Sequence, residues 1–235
     1  YVQVAKEDVQ MDECIDIIIG NNNKKDIVTL LQEYEKNHSA EGFQDINQKG
    51  TVYETLQIDG TGGHTRAYVK IQDGCNQFCS YCMIPYARGR VRSREQEDIL
   101  EELTRLACNG YREVVLTGIH ISSYGTDSGR RGALLELLER AQQIKGIERI
   151  RLGSLEPRIM TEEFVAGISR LDKVCPHFHL SLQSGCDETL KRMNRHYTTQ
   201  EYLASCERIR RFYEHPAITT DIITGFPGET EEEFR

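Results

Sequence analysis

No stretch of this sequence approaches the roughly eighteen consecutive apolar residues that a membrane-spanning helix needs. The opening residues, Tyr1 to Asp8, carry neither the basic start nor the apolar run of an export signal. The expectation is a cytoplasmic protein without a membrane partner. Positive charge is also in deficit: 29 Lys and Arg against 37 Asp and Glu leave a formal net charge of -8. That balance disfavours nucleic-acid binding through an overall basic surface. Nor do the eight cysteines read as disulfides, because no export signal accompanies them and 235 residues can bury a core without covalent staples. What is present is an ordinary globular composition, 38% hydrophobic and 28% charged, long enough for one large domain or two small ones.

Charge and cysteine are unevenly spread. Arg88, Arg90, Arg92 and Arg94 alternate directly after a group of clustered cysteines. A solvated loop would account for them, but their place in the chain favours a phosphate-facing role. Cys14, Cys108, Cys175, Cys186 and Cys206 are scattered and read as small hydrophobic core residues. Cys75, Cys79 and Cys82 stand together, and a metal site is the better reason for that.

Hydrophobic periodicity divides the chain. Ile15 to Gly20 reads as a strand and Asp26 to Lys36 as an amphipathic helix, with a polar stretch from His38 to Thr51 as a linker. From Ala67 a unit repeats. Tyr68 to Gln72 alternates as a strand, the cysteine loop follows, and Ser93 with Gln96 reads as a capping box ahead of a helix closed at Gly110. Further strands are expected at 114–118, 147–152, 178–183 and 218–223, each followed by helical spacing, with Thr161 and Thr230 opening helices. Strands alternating with helices imply an α/β fold with a parallel sheet, either open and doubly wound or a partial barrel. Both bind ligands at the carboxyl ends of the strands, where the cysteine loop lies.

Gly74 to Cys82 forms C-x3-C-x2-C. Three thiolates do not close a structural zinc site, although His64 or His120 could complete one. A ferredoxin-type cluster would also use a fourth cysteine. A [4Fe-4S] cluster on three cysteines leaves one iron open to a substrate, much as catalytic zinc keeps an open position. The spacing on a βα loop favours that reading.

With an aromatic residue before its last cysteine, the motif resembles the signature of radical S-adenosylmethionine enzymes. The stretch CNQFCSYCMIPYARGRVRSR, from Cys75 to Arg94, is similar to the methylthiotransferases within them. So are LTGIHISSYG (Leu116 to Gly125), LGSLEP (Leu152 to Pro157), HLSLQSGCDETLKRMNRHYT (His179 to Thr198) and DIITGFPGET (Asp221 to Thr230). The match is nearest to the bacterial enzymes that methylthiolate N6-threonylcarbamoyladenosine at position 37 of tRNA. Sister enzymes that act on isopentenyladenosine in tRNA, or on a ribosomal protein, share the core. A zinc-stabilised RNA-binding module using Arg88 to Arg94 is the non-enzymatic alternative.

The resemblance implies a partial radical SAM (βα) barrel with five of six units present. It implies a [4Fe-4S] cluster on Cys75, Cys79 and Cys82, with S-adenosyl-L-methionine cleaved reductively to a 5′-deoxyadenosyl radical. Tyr81 is expected near the adenine, and Thr117 and Gly118 at the methionine amino group. Ser154, Glu156 and Gln183 are expected to face the cofactor, and Arg195 to pair with its carboxylate. His120 is a further candidate for cofactor or substrate. A tRNA substrate and an electron-donor protein are the implied partners. Residues 1–37 are expected as a remnant of the family's N-terminal domain, 38–60 as a linker and 61–235 as the core. The family's second cluster, the last barrel strand and the C-terminal RNA-binding domain are expected only in a longer protein, so this chain alone should not complete the reaction.

Overall fold

The computed structural model describes residues 2–5, 7, 11, 13–38, 42, 45–46, 51, 53–58, 60 and 62–235. Ala67–Asp73 forms β1, whose Ala67, Val69 and Ile71 are buried, with Tyr68 exposed and Lys70 half-buried between them. It pairs in parallel with β3 (Glu113–Gly118), Val69 opposite Leu116. β3 pairs in parallel with β4 (Arg149–Leu152), Val114 opposite Ile150. Single parallel bridges, Ile150 to Val174 and Leu155 to Leu180, carry the sheet on to β5 (His177–His179), which pairs with β6 (Ala217–Thr219). The two-residue β2 (Arg92–Ser93) runs antiparallel on the outer edge of β1.

Apart from β2, the strands lie side by side in chain order and the order never reverses. A doubly wound sheet needs a reversal, so the partial barrel is the architecture formed. Helices cover one face: α3 (Gln96–Cys108), α4 (Ala133–Ala141), α5 (Glu162–Ile168) and α7 (Thr199–Phe212). Their stripes, including Leu103, Leu106, Leu137, Leu138, Val165, Ile168 and Ile209, bury against β1, β3 and β4 in one cluster. Short helices α2 (Ile84–Ala87), α6 (Asp187–Arg192) and α8 (Glu231–Phe234) sit at strand-end loops.

Three expectations change. The Ser93–Gln96 capping box does not form: Glu95 caps α3 without a side-chain bond. Ser93 belongs to β2, where its hydroxyl donates to Asp127 Oδ1 at 2.5 Å and accepts from the Gly125 amide at 2.7 Å. Capping boxes form instead at Thr198 with Glu201 and Thr230 with Glu233, and the Thr161 hydroxyl accepts from Phe164 N. Secondly, among the described residues Ile15 to Gly20 makes a single bridge, Ile19 to Gly42, in place of a strand. Thirdly, of the scattered cysteines only Cys206 is buried; Cys14 and Cys108 are exposed and Cys175 and Cys186 half-buried.

The helix expected near Asp26 is α1 (Ile27–Asn37). It buries Leu30 while Ile27, Val28 and Leu31 stay exposed. Much of the linker expected at 38–60 lies outside the described residues. The described part is tied to the barrel, with Tyr53 donating to Lys70 O at 3.0 Å and Ile58 N to Glu102 Oε1 at 3.3 Å.

Candidate functional site at the cysteine loop

β1 ends in a buried hinge. Gln72 is fully buried; its amide donates to the carbonyls of Asp73 (2.8 Å) and Gly74 (2.6 Å) and accepts from His120 N (2.7 Å). One side chain thereby ties the start of the cysteine loop to the loop after β3. Asp73 accepts from Gly74 N at 2.9 Å and faces Lys70, Arg88 and Arg92; burial pushes its carboxyl up, but Lys70, the Gly74 amide and Arg88 outweigh that and hold it below the usual range. Gly74 has φ 71°, and a Cβ there would collide with the Arg90 carbonyl. The chain then doubles back, with Cys75 N donating to Gly89 O at 3.0 Å.

The far side of the loop is held by the end of α6. Ser80 N donates to Met193 O at 3.0 Å and the Ser80 hydroxyl to Arg192 O at 2.8 Å. Asn194 Nδ2 donates to Phe78 O at 2.8 Å and Gln77 O at 3.3 Å. Phe78, Asn194 and Gln183 all have positive φ, at 52°, 55° and 74°. Left-handed non-glycine residues are uncommon and cluster where geometry is demanded.

Cys75 and Cys79 are buried and Cys82 half-buried. Burial pushes the Cys75 thiol up, and the nearby Cys79, Cys82 and Glu156 push the same way. A cation bound there removes that penalty, because thiolates are the form that binds metal. Arg195 Nη1 lies 3.2 Å from Cys79 Sγ, and its Nε donates to Tyr197 Oη at 3.0 Å. Glu156 is buried; His120 Nε2 lies 3.3 Å from its Oε2 and Gln77 Nε2 donates to the same oxygen at 3.3 Å. Burial alone would raise this carboxyl, but His120 together with the charges of Arg158 and Arg195 outweighs it and the group sits low. Tyr81 packs edge-on to Phe226 at 6.3 Å, and burial pushes its phenol up to about 12.

The structure therefore brings Arg195 directly to the cysteine loop, of which Tyr81 is itself a part, and brings Glu156 to it through Gln77. Thr117, Gly118, Ser154 and Gln183 lie on the same strand-end rim. Gly118 meets the loop's base, since a Cβ there would lie 2.8 Å from Gln72 O. Among the described residues no hydrogen bond joins Thr117, Ser154 or Gln183 to the cysteine loop. Gln183 N instead donates to Asp221 O at 3.0 Å, extending the contact with the last strand. The arginine run is not a free phosphate rim. Arg94 is buried in an ion pair with Glu102, Arg92 is buried beside Asp73, and the Arg90 guanidinium stacks 4.7 Å from the Phe78 ring centre.

Gln72, Gln77 and Asn194 were not singled out in the sequence. Asn194 carried a readable signal, an asparagine just past a helix end. It completes that cap, with Asn194 N donating to Lys191 O (3.0 Å) and Arg195 N to Leu190 O (2.9 Å). Gln72 and Gln77 had none.

Among the described residues no three His, Cys, Asp or Glu side chains are grouped to hold a single metal ion. The donor set suits a cluster better, since its three thiolates bind three different irons and need not converge on one point. Soft sulfur donors, one open position and a guanidinium to offset thiolate charge all fit such a group.

Comparison with known proteins agrees with this chemistry. Residues 69–235 match the Radical SAM superfamily, and the chain belongs to it. Proteins of this superfamily use a [4Fe-4S] cluster and S-adenosylmethionine. More narrowly, the chain is similar to bacterial tRNA methylthiotransferases. It is 41% identical over 221 residues to the tRNA-2-methylthio-N(6)-dimethylallyladenosine synthase of Clostridium botulinum (strain Okra), covering 94% of this chain and 48% of that protein. It is 37% identical over 235 residues to the threonylcarbamoyladenosine tRNA methylthiotransferase MtaB of Bacillus subtilis, covering 100% and 52%. The chain thus spans about half the length of the curated relatives it matches. Among solved structures, the cobalamin-dependent S-adenosylmethionine radical enzyme OxsB superposes with TM-score 0.63 at 14% identity, over 94% of this chain and 35% of that one. The radical S-adenosylmethionine methyltransferase TsrM from Kitasatospora setae gives 0.55 at 22% identity, over 72% and 32%. These two establish the shared fold.

Proposed function

We propose that this chain is the radical core of a tRNA methylthiotransferase acting on adenosine 37, with N6-threonylcarbamoyladenosine as its nucleoside. The observation that carries the reading is the C-x3-C-x2-C loop, held at the carboxyl edge of a partial barrel with Arg195 against Cys79 and with Glu156 reached through Gln77. Relatives named for two tRNA nucleosides support the reaction class. The threonylcarbamoyl assignment rests on the Ile84 to Arg94 and Thr117 to Gly125 stretches, and on a match running through the whole chain. The identity of 41% to a dimethylallyladenosine synthase favours the second reading, a core acting on that nucleoside.

Cys75, Cys79 and Cys82 would hold the cluster, which when bound supplies the electron for reductive cleavage of S-adenosylmethionine. Arg195 offsets the charge of the Cys79 thiolate and stands ready for the methionine carboxylate. Gly118 brings the end of β3 against the base of the cysteine loop without a side chain in the way, and Thr117 offers a hydroxyl there for the amino group. Glu156, kept ionised beside His120, accepts hydrogen bonds at the rim, with Ser154 and Gln183 on either side. Tyr81 covers the adenine. The partners are a tRNA and an electron-donor protein in the cytoplasm.

Anaerobic reconstitution followed by iron and sulfide analysis tests the site: about four irons per chain at this motif are expected, and Cys79→Ala abolishes them. A colourless protein with stoichiometric zinc rejects the cluster reading. Nucleoside mass spectrometry of tRNA from a strain lacking the complete gene tests the substrate. Loss of methylthiolated threonylcarbamoyladenosine is expected, and loss of the dimethylallyl derivative instead selects the second reading.

A further inference from the structure

A cavity of about 340 Å³ opens between the helix starts at the strand-end rim. Its walls are the loop after β3, the first turn of α4 and the segment joining β4 to α5, all at the carboxyl end of the sheet. Two of its lining residues contact Glu156, which Gln77 ties to the cysteine loop. Ser122, which lines the cavity, accepts from Glu156 N at 2.9 Å, and Arg158 Nη1 lies 4.0 Å from Glu156 Oε1. The volume falls at the small end of ligand pockets, roughly 300–1,000 Å³.

Three guanidiniums line it, from Arg130, Arg131 and Arg158, against the single carboxylate of Glu163. Arg130 is paired outside the cavity with Glu136 at 2.7 Å. Arg131 makes no ion pair among the described residues, and Arg158 is 55% exposed with its carboxylate partner at the limit of contact. On a chain of net charge -8 this is a local reversal of sign. The first turn of α4 adds to it. Its cap, Gly132 at φ 76°, offers no side chain to its leading amides. Ala133, Leu134 and Leu135 of that turn line the cavity, at the positive end of the helix dipole. The floor is apolar, with Tyr124 and Phe164 among its residues. A free inorganic anion has no use for such a floor; a phosphate joined to a planar base uses both parts.

We propose that this cavity receives one nucleotide of the substrate RNA flanking the target base, its phosphate on Arg131 and Arg158 and its base on the apolar floor. The inference rests on the tRNA reading given above and adds a location to it.

The test uses the complete, anaerobically reconstituted protein and a fluorescent anticodon stem-loop RNA, with affinity measured by anisotropy over a range of salt. Arg131→Ala with Arg158→Ala removes two exposed charges, and unchanged thermal unfolding confirms folding. Lys145→Ala with Arg170→Ala removes the same charge at the opposite ends of α4 and α5, where both residues are exposed. We expect the cavity variant to bind about tenfold or more weakly, with the salt slope reduced by about one to two, and the control pair to bind as wild type. Arg131→Lys with Arg158→Lys should restore the slope. Equal weakening by the cavity and control pairs, or wild-type affinity and slope in the cavity variant, overturns the proposal while leaving the tRNA reading intact. Failure of the wild-type protein itself to bind the RNA overturns both.

Discussion

At the scale of single residues, the cysteine loop depends on positions that carry no redox chemistry. Asn194 ends α6 in a left-handed conformation and uses its side chain to hold Phe78 O and Gln77 O. Alanine there loses both hydrogen bonds and strains the backbone, and should cost about 1–3 kcal/mol in urea unfolding. Glycine tolerates the conformation, so Asn194→Gly should cost less while still loosening the loop. Equal losses for the two would show that the side-chain bonds carry the whole effect. Gly74→Ala is harsher, because its Cβ would meet backbone rather than a yielding side chain. The expected result is a folded protein that retains little iron after reconstitution, checked by iron assay and circular dichroism. Cys75 and its partners were legible from spacing alone. Gln72 was not, since a glutamine inside an alternating strand has no signature until the fold closes around it.

At the scale of elements, β3 and β4 are joined by charge as well as by their ladder. Glu113 accepts from Arg149 Nε and Arg151 Nε, both at 2.7 Å, on a side chain only 12% exposed. These arginines lower its carboxyl to about 2. A depressed carboxyl contributes stability above its unfolded value, roughly 4.3, and loses it as pH falls toward the folded value. Arg149 is half exposed, so solvent screens part of the effect, and about 2 kcal/mol is a reasonable magnitude. Glu113→Gln should therefore destabilise the protein near neutral pH and approach wild type near pH 2, as read by denaturant titrations at each pH. A constant difference across that range would remove the ion pairs from the account. In the helical layer, Leu137→Ala removes a fully buried side chain between α4 and the sheet and should cost about 2–5 kcal/mol. Helix positions were readable from their apolar stripes, but the start of α3 was not. The Ser93 to Gln96 pattern suits a capping box, and the Asp127 loop took the serine hydroxyl instead. Local propensity lost to a tertiary hydrogen bond.

At the scale of the whole molecule, cluster and fold should be linked. The cysteine loop joins the end of β1 to the end of α6, so a group bound to three of its side chains stabilises the native state by mass action. Reconstituted protein should unfold at a higher temperature than the apoprotein, and removing the cluster by oxygen and chelator should abolish the difference in calorimetry. Cys79→Ala should show one unfolding temperature under both treatments. The net charge of -8 gave a poor guide to surface chemistry. The arginines that stood out along the chain, Arg92 and Arg94, are buried in ion pairs, whereas Arg131 and Arg158, distant in sequence, line one cavity.

The division between the two sources of information has a physical basis. Periodicity and glycine placement act within a few residues, so the sequence by itself determined the βα repeat, the helices and the C-x3-C-x2-C donor set. The sequential order of the strands, the choice of a partial barrel over a reversed sheet, and the meeting of Arg195 with Cys79 across 116 positions required the closed fold. Those contacts depend on pairings whose partners lie far apart along the chain, and no local preference encodes them.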